Sequence, residues 1–184
     1  MAAVMAAGAV AAQVDSRTAR NQTFPERGRS VEVADLSFLG AAERAAVEEY
    51  AKQFDYYGAM AVSPGDPADT GSAVAVANYH SVRAAQKAAL DGCNARRRTG
   101  RACVIVATVL PRRYQARGFT LSVEGTAALK GAYRRLDSPK AFAISEATGA
   151  FGFARGDGAR ALSACNERAA PNGARDCRVV VVDP

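Results

Sequence analysis

The feature that most constrains this chain of 184 residues is a pair of cysteines that occurs twice at similar spacing. Cys93 and Cys103 lie between an Ala-rich helical pattern and an apolar strand pattern, and Cys165 and Cys177 occupy the same place near the C-terminus. Since the order hairpin, helix, strand surrounds both pairs, we predict a tandem of two related modules. A disulfide in each would close a loop of about 11–13 residues and stabilise the fold by about 3 kcal/mol.

Three chemical states of the cysteines are open at this point: disulfides, free structural thiols and a metal site. Four cysteines allow three pairings. A zinc site is disfavoured because no two cysteines have the short spacing typical of zinc ligands, and His80 is the only histidine. We therefore favour the pairs Cys93–Cys103 and Cys165–Cys177 and expect neither a metal nor a cofactor.

The N-terminus bears on the compartment, because disulfides persist in oxidising surroundings. Residues 2–12 form an uncharged apolar run, and Ala9-Val10-Ala11 offers a small-residue cleavage pattern. No basic residue precedes Arg17, so residues 1–12 are either a signal peptide or a disordered tail. We favour export and expect a periplasmic or secreted protein. The run is too short to span a membrane, and no other segment reaches about 18 apolar residues.

Hydrophobic periodicity predicts an α+β fold built from two pseudo-repeats. Residues 13–35 are polar and contain Pro25 and Gly28, which predicts a flexible lead-in. We expect a first module over residues 36–110, a basic connector over residues 111–120 and a second module over residues 121–184. Each module has the order helix, hairpin, helix, strand. This order predicts a mainly antiparallel sheet with helices on one side.

Periodicity also gives bounds for each element. In the first module we predict a helix over Leu36–Gln53, strands over Tyr56–Val62 and Ser72–Asn78, a helix over Val82–Asn94 and a strand over Cys103–Leu110. In the second we predict a helix over Val123–Leu136, strands over Ala141–Ser145 and Ala150–Arg155, a helix over Ala159–Ala169 and a strand from Cys177. Ser81, Ser122 and Asp157 are the predicted N-caps. The unbroken apolar run after Cys103 is typical of a central strand.

Four short motifs of the second module resemble a family of small exported bacterial domains whose function is unknown. They are Phe142-Ala-Ile-Ser145, Thr148-Gly149-Ala-Phe-Gly-Phe153, an Ala-rich helix with Cys165, and Cys177-Arg-Val-Val-Val. In that family a tight hairpin, a helix and a strand are joined by a disulfide, singly or in tandem. The resemblance covers residues 141–183 and, more weakly, residues 58–109, and it implies no activity.

Some proteins similar to this family carry an aminolevulinate-synthase label. Such enzymes resemble large pyridoxal-phosphate folds with a Schiff-base lysine and an Asp or Arg partner for the cofactor. This chain is far shorter and contains only four lysines. We therefore regard that label as a misannotation.

The sequence offers little for catalysis. His80, in Asn78-Tyr79-His80-Ser81, is the single candidate general base. There is no Gly-x-Ser-x-Gly elbow and no His-Glu-x-x-His motif. We predict a non-enzymatic protein; the alternative is a small enzyme with a site between the modules, near His80, Ser145 and Glu146. A His80 that is buried and bonded only to backbone would count against the enzyme, whereas a cleft joining it to carboxylates of the second module would favour it.

The net charge of +6 comes mainly from arginine. The candidate anion-binding residues are Arg96, Arg97 and Arg98, between the first two cysteines, and Arg112, Arg113 and Arg117, after the following strand. Guanidinium groups bind phosphate and carboxylate bidentately. We therefore predict a cell-envelope binding or interaction module whose partner is an anionic envelope component or an acidic protein; the alternative is a solvated basic loop. Nucleic acid is disfavoured because aromatic residues are not interleaved for base stacking.

Overall fold

The computed structural model describes residues 13–66, 71–98 and 101–184. The first half forms α1 (Ser16–Gln22), β1 (Arg29–Val33), α2 (Ala41–Ala51), β2 (Gly58–Val62), β3 (Val74–Val76), α3 (Val82–Asn94) and β4 (Val104–Pro111). The second half forms α4 (Val123–Lys130), β5 (Lys140–Ile144), β6 (Phe151–Arg155), α5 (Gly158–Ala169) and β7 (Arg178–Asp183). These elements make two antiparallel sheets with helices, which confirms the predicted α+β class. The predicted signal peptide or tail, residues 1–12, lies outside the described residues.

The first sheet has the strand order β1-β4-β2-β3. The long apolar strand β4 lies inside the sheet, as its unbroken hydrophobic run predicts. Helix α3 packs on one face, where its Ala85, Ala89 and Cys93 share a core with Ala59 and Ala61 of β2. Because the side chains on both sides are small, the helix lies close to the sheet.

The second sheet has the order β6-β5-β7. Helix α5 covers one face, where Ala161 and Cys165 pack on Ala141 and Ala143 of β5. Gly152 of β6 lies directly beneath this helix, and a side chain there would collide with the helix backbone at Cys165. The glycine between two phenylalanines is therefore required by close packing.

Helices cover both faces of each sheet, so the prediction of helices on one side is wrong. In the second sheet, Phe142 and Ile144 point away from α5 and form a core with Leu129 of α4 and with Tyr133. In the first, Met60 packs with α2 on the face opposite α3. Every residue of β5 is buried, which leaves this strand no polar face for solvent.

The predicted flexible lead-in over residues 13–35 contains α1 and β1, so this prediction is also wrong. Asp15 caps α1 by accepting hydrogen bonds from the N–H groups of Arg17 and Thr18. Ala19 is fully buried in the core of the second sheet. Strand β1 then pairs with β4 of the first sheet. The polar composition of residues 13–35 does not indicate the contacts that they make with distant parts of the chain.

One strand pairing and one hydrogen bond occur at equivalent places in both sheets. In both, the strand after the helix pairs with the first strand of the preceding hairpin: β4 with β2, and β7 with β5. In both, the asparagine after the first cysteine accepts a hydrogen bond from the N–H of the second, from Cys103 to Asn94 (3.1 Å) and from Cys177 to Asn166 (3.3 Å). These features fit a duplication, which stays a prediction.

Candidate functional site

The cysteines form the two predicted disulfides. Cys93 is joined to Cys103 with their Cα atoms 6.1 Å apart, and Cys165 to Cys177 with their Cα atoms 6.0 Å apart. Each bond ties the end of a helix to the start of the next strand. The cysteines therefore have a structural role. Elsewhere in the described residues, no three His, Cys, Asp or Glu side chains come close enough to hold a metal ion.

His80 lies at the junction of the two sheets and is bonded only to backbone. It is 2% exposed, its Nε2–H donates to the carbonyl of Ala150 (3.1 Å), and its Nδ1 accepts from the N–H of Ser122 (3.3 Å). Burial lowers the pKa of His80 to about 4, so the ring is neutral at pH 7. With both nitrogens occupied, His80 fixes the second half of the chain against the first and is poorly placed to act as a general base.

Ser145 and Glu146 are also engaged with neighbouring side chains. The buried Ser145 hydroxyl donates to the Asp176 carboxylate and accepts from the Thr148 hydroxyl (2.8 Å), which holds the β5–β6 turn. Glu146 pairs with Arg178 of β7, with 2.7 Å between Oε1 and Nη2. The residues of the predicted enzyme site are thus neighbours, but their hydrogen bonds and ion pair stabilise the junction between the two halves of the chain.

A cleft of about 400 Å³ lies between the two sheets and reaches His80 and Glu146. Its walls come from the start of α3, the 114–120 connector and strands β5 and β7. The charged side chains of this lining are Arg83, Arg117, Arg178 and Glu146. We call this space the inter-sheet cleft. The sequence predicts Glu146 near this place. Arg83 and Arg178 come beside Glu146 only through the fold, and no sequence pattern singles them out.

The six predicted anion-binding arginines do not form one site. Strand β4 has eight residues, which at about 3.3 Å per residue puts its ends about 25 Å apart. Residues 96–98 lie at its start and residues 112–113 at its end, so β4 separates the two groups. Arg117 is engaged elsewhere: its Nη1 donates to the carbonyls of Gln22 (2.9 Å) and Thr23 (3.0 Å), and its guanidinium lies 3.7 Å from the centre of the Phe24 ring.

Arg112 and Arg113 instead lie beside Arg27, a residue that no sequence pattern singles out. Together with Pro25, these arginines line a depression of about 300 Å³. Gly28, with φ of 87°, turns the chain so that its carbonyl accepts from the Arg112 N–H (3.2 Å). All three arginines are exposed, and none has an ion-pair partner in the described part of the chain. We call Arg27, Arg112 and Arg113 the basic corner.

Comparison of the chain with protein-family models, curated proteins and solved structures gives no match. The geometry of the described residues is therefore the basis for a functional proposal. Within the same residues, none of the helices has both the length and the apolar composition required to cross a membrane.

Proposed function

We propose that the protein is an exported, non-enzymatic binding module of the bacterial cell envelope that recognises anionic groups through the basic corner. One observation carries this proposal: three exposed arginine side chains line a single depression that has no acidic residue in its lining. Three cations at one place repel one another, and an anionic partner relieves that repulsion. The planar guanidinium group also matches phosphate and carboxylate oxygens in a bidentate manner.

Local geometry supports the basic corner as a docking surface. Glu26, the neighbouring acid in sequence, points to Lys130, with 3.7 Å between its Oε1 and the Lys130 Nζ. Its ion pair is therefore with Lys130 and not with an arginine of the basic corner. Since the cluster is exposed, its interaction with a partner should be sensitive to salt, with a screening length of about 10 Å at 0.1 M.

Binding is favoured over catalysis because the only imidazole is not available for proton transfer. His80 is buried and neutral, and both of its ring nitrogens are bonded to backbone. The inter-sheet cleft does join His80 to Glu146, as the small-enzyme alternative expects, but a ring with both nitrogens bonded to backbone is not placed to transfer a proton. No observation on the described residues supports an aminolevulinate-synthase activity.

Export is proposed from the disulfides, since such bonds persist in oxidising compartments. The apolar run at residues 2–12 and the resemblance to small exported bacterial domains point the same way, to a periplasmic or secreted protein. We also propose that the two halves arose by duplication of one disulfide-linked module. The shared strand order and the two Asn–Cys hydrogen bonds support this.

The test is retention of the purified protein on immobilised lipopolysaccharide as the salt concentration is raised. We expect the variant R27Q/R112Q/R113Q to lose about tenfold or more in affinity and to show a smaller salt dependence. The matched control is R96Q/R97Q/R98Q, which removes the same charge at the other end of β4 and tests the loop predicted from the sequence. Equal losses in both variants would assign binding to net charge and overturn the basic corner as the site. Retention that neither variant changes would overturn the proposal as well.

A further inference from the structure

We infer that the inter-sheet cleft is a second binding site, for a small carboxylic acid with an apolar body. This site is separate from the basic corner, with which it has no lining residue in common. A volume of about 400 Å³ lies within the range usual for small-molecule sites.

Arg178 supplies the first argument, because only part of its guanidinium group is used. Its Nη2 pairs with Glu146 Oε1 at 2.7 Å, whereas its Nη1 is buried and has no hydrogen-bond partner in the described residues. A carboxylate can engage both terminal nitrogens of an arginine at once. Arg178 thus keeps an unpaired donor on a side chain that lines the cleft.

The other buried side-chain atoms without a partner in the described residues belong to two neighbours of lining residues, Tyr57 and Gln22. Tyr57 is fully buried with a hydroxyl that has no partner, and its ring centre is 6.0 Å from that of Tyr114 in the lining. The Gln22 side-chain oxygen lies behind Gly118, also in the lining, 3.5 Å from where a Cβ would stand on this glycine. Buried polar groups are normally paired, so unpaired ones beside the lining are unusual. A ligand in the cleft would pair with Arg178 and not with Tyr57 or Gln22, which do not line it.

The walls define the chemistry of that ligand. Phe119, Ile144 and Val180 contribute buried apolar side chains to the lining. The charged lining consists of three arginines and one glutamate, so its net positive charge favours an anion. Arg83 and Arg178 share Glu146 as their ion-pair partner, at 3.6 Å and 2.7 Å, while Arg117 donates to backbone carbonyls. Glu146 remains in the site, which favours a singly charged carboxylate over a doubly charged phosphate. A carboxylic acid with a short aliphatic chain fits both parts of the lining: its carboxylate would pair with the arginines, and its chain would pack on the apolar side chains.

The Arg178–Glu146 pair predicts opposite effects for two substitutions. Arg178→Gln removes the guanidinium group, so carboxylate binding should weaken. Glu146→Gln removes the competing carboxylate, so binding should become tighter. A purely structural role of the pair would move both variants in the same direction, because each substitution breaks the Arg178–Glu146 ion pair. Glu146→Gln also removes the longer pair with Arg83 (3.6 Å), which frees a second guanidinium group in the cleft.

Isothermal titration of the full chain with octanoate tests the inference, with octylamine as the probe of opposite charge. We expect saturable octanoate binding that R178Q weakens about tenfold or more and that E146Q tightens about threefold. R27Q/R112Q/R113Q should leave the affinity within about twofold, so that failure of the basic corner and failure of the cleft are distinguishable. Octylamine should not bind.

Three results would overturn the inference: no saturable binding of octanoate, equal binding of octylamine, or weakening by both E146Q and R178Q. If R178Q fails to fold, the test is the change in amide chemical shifts when octanoate is added to the unsubstituted protein. We then expect octanoate to shift the amides of Arg178, Val180 and Phe119. Shifts confined to other parts of the chain would contradict the site.

Discussion

At the junction of the two sheets, single residues bind backbone groups from the opposite half of the chain. His80 reaches Ala150 and Ser122, and the Asn78 side chain accepts from the N–H of Glu124 (3.2 Å). Gly149, with φ of 72°, lies so close that an added Cβ would stand 2.5 Å from the Asn78 carbonyl oxygen. These contacts explain why polar and flexible residues that look functional in the sequence are structural in the fold.

The neutral His80 predicts a pH dependence of stability. Burial lowers its pKa to about 4 in the folded protein, from the ordinary 6.5. Between these pH values the unfolded chain binds more protons than the folded one, so the free energy of unfolding falls as the pH falls. The contribution is complete above pH 6.5 and is lost towards pH 4, a change of about 3 kcal/mol. Urea unfolding at a series of pH values measures it.

The control for this titration is His80→Gln, which keeps a polar side chain but removes the titrating group. We expect its free energy of unfolding to depend little on pH between 6.5 and 5, where most carboxylates remain ionised. A slope in this range equal to that of the unsubstituted protein would assign the effect to other groups.

At the scale of helices and strands, local signals predict bounds well where capping and periodicity agree. Helix α3 is predicted and observed over Val82–Asn94, because Ser81 caps its start through the N–H of Ala84. Prediction fails where the backbone changes course: the helix from Val123 ends at Lys130, since Gly131 leaves the helical conformation. Asp157 stands at the predicted N-cap of α5, yet its side chain makes no capping hydrogen bond.

Ser81 and Asp157 therefore form a matched pair for measuring caps. We expect Ser81→Ala to lower the free energy of unfolding by about 1 kcal/mol, because the Ala84 N–H loses its acceptor. Asp157→Ala should cost only a few tenths of a kcal/mol, about the value of an exposed charge near a helix start. Urea unfolding of both variants at one pH provides the comparison, and equal costs would show that the two residues cap their helices alike.

Across the whole molecule, the features hardest to predict are those assembled from distant parts of the chain. The disulfides follow from local spacing, and their pairing could be predicted. The basic corner joins Arg27 to Arg112 and Arg113, and the inter-sheet cleft joins Arg83 to Arg178. No local sequence pattern predicts which of these arginines lie together, because their positions depend on how strands from separate halves of the chain are ordered. Two of the three arginines of the corner were predicted, but their partner was not.

The segment at residues 13–23 is the clearest case of a long-range contact that links the two sheets. Val14 donates its N–H to the Val180 carbonyl (3.1 Å) and accepts from the Val182 N–H (3.0 Å), although these residues are at opposite ends of the sequence. The Ser16 N–H likewise donates to the Asp183 carboxylate (2.9 Å). The chain then continues into β1 of the first sheet. This segment thus extends the second sheet and connects it to the first.

The substitution Val14→Pro tests this link, because proline has no N–H to donate to Val180. We expect it to lower the free energy of unfolding by about 1–3 kcal/mol through the unpaired carbonyl and the displaced segment. Amide hydrogen exchange at Val182 should become faster, since its acceptor on Val14 moves away. Val14→Ala is the control: it trims the side chain but keeps both backbone bonds, so Val182 should stay protected. If V14P leaves Val182 protected as in V14A, the segment does not hold the edge of β7, and the second sheet is stable without it.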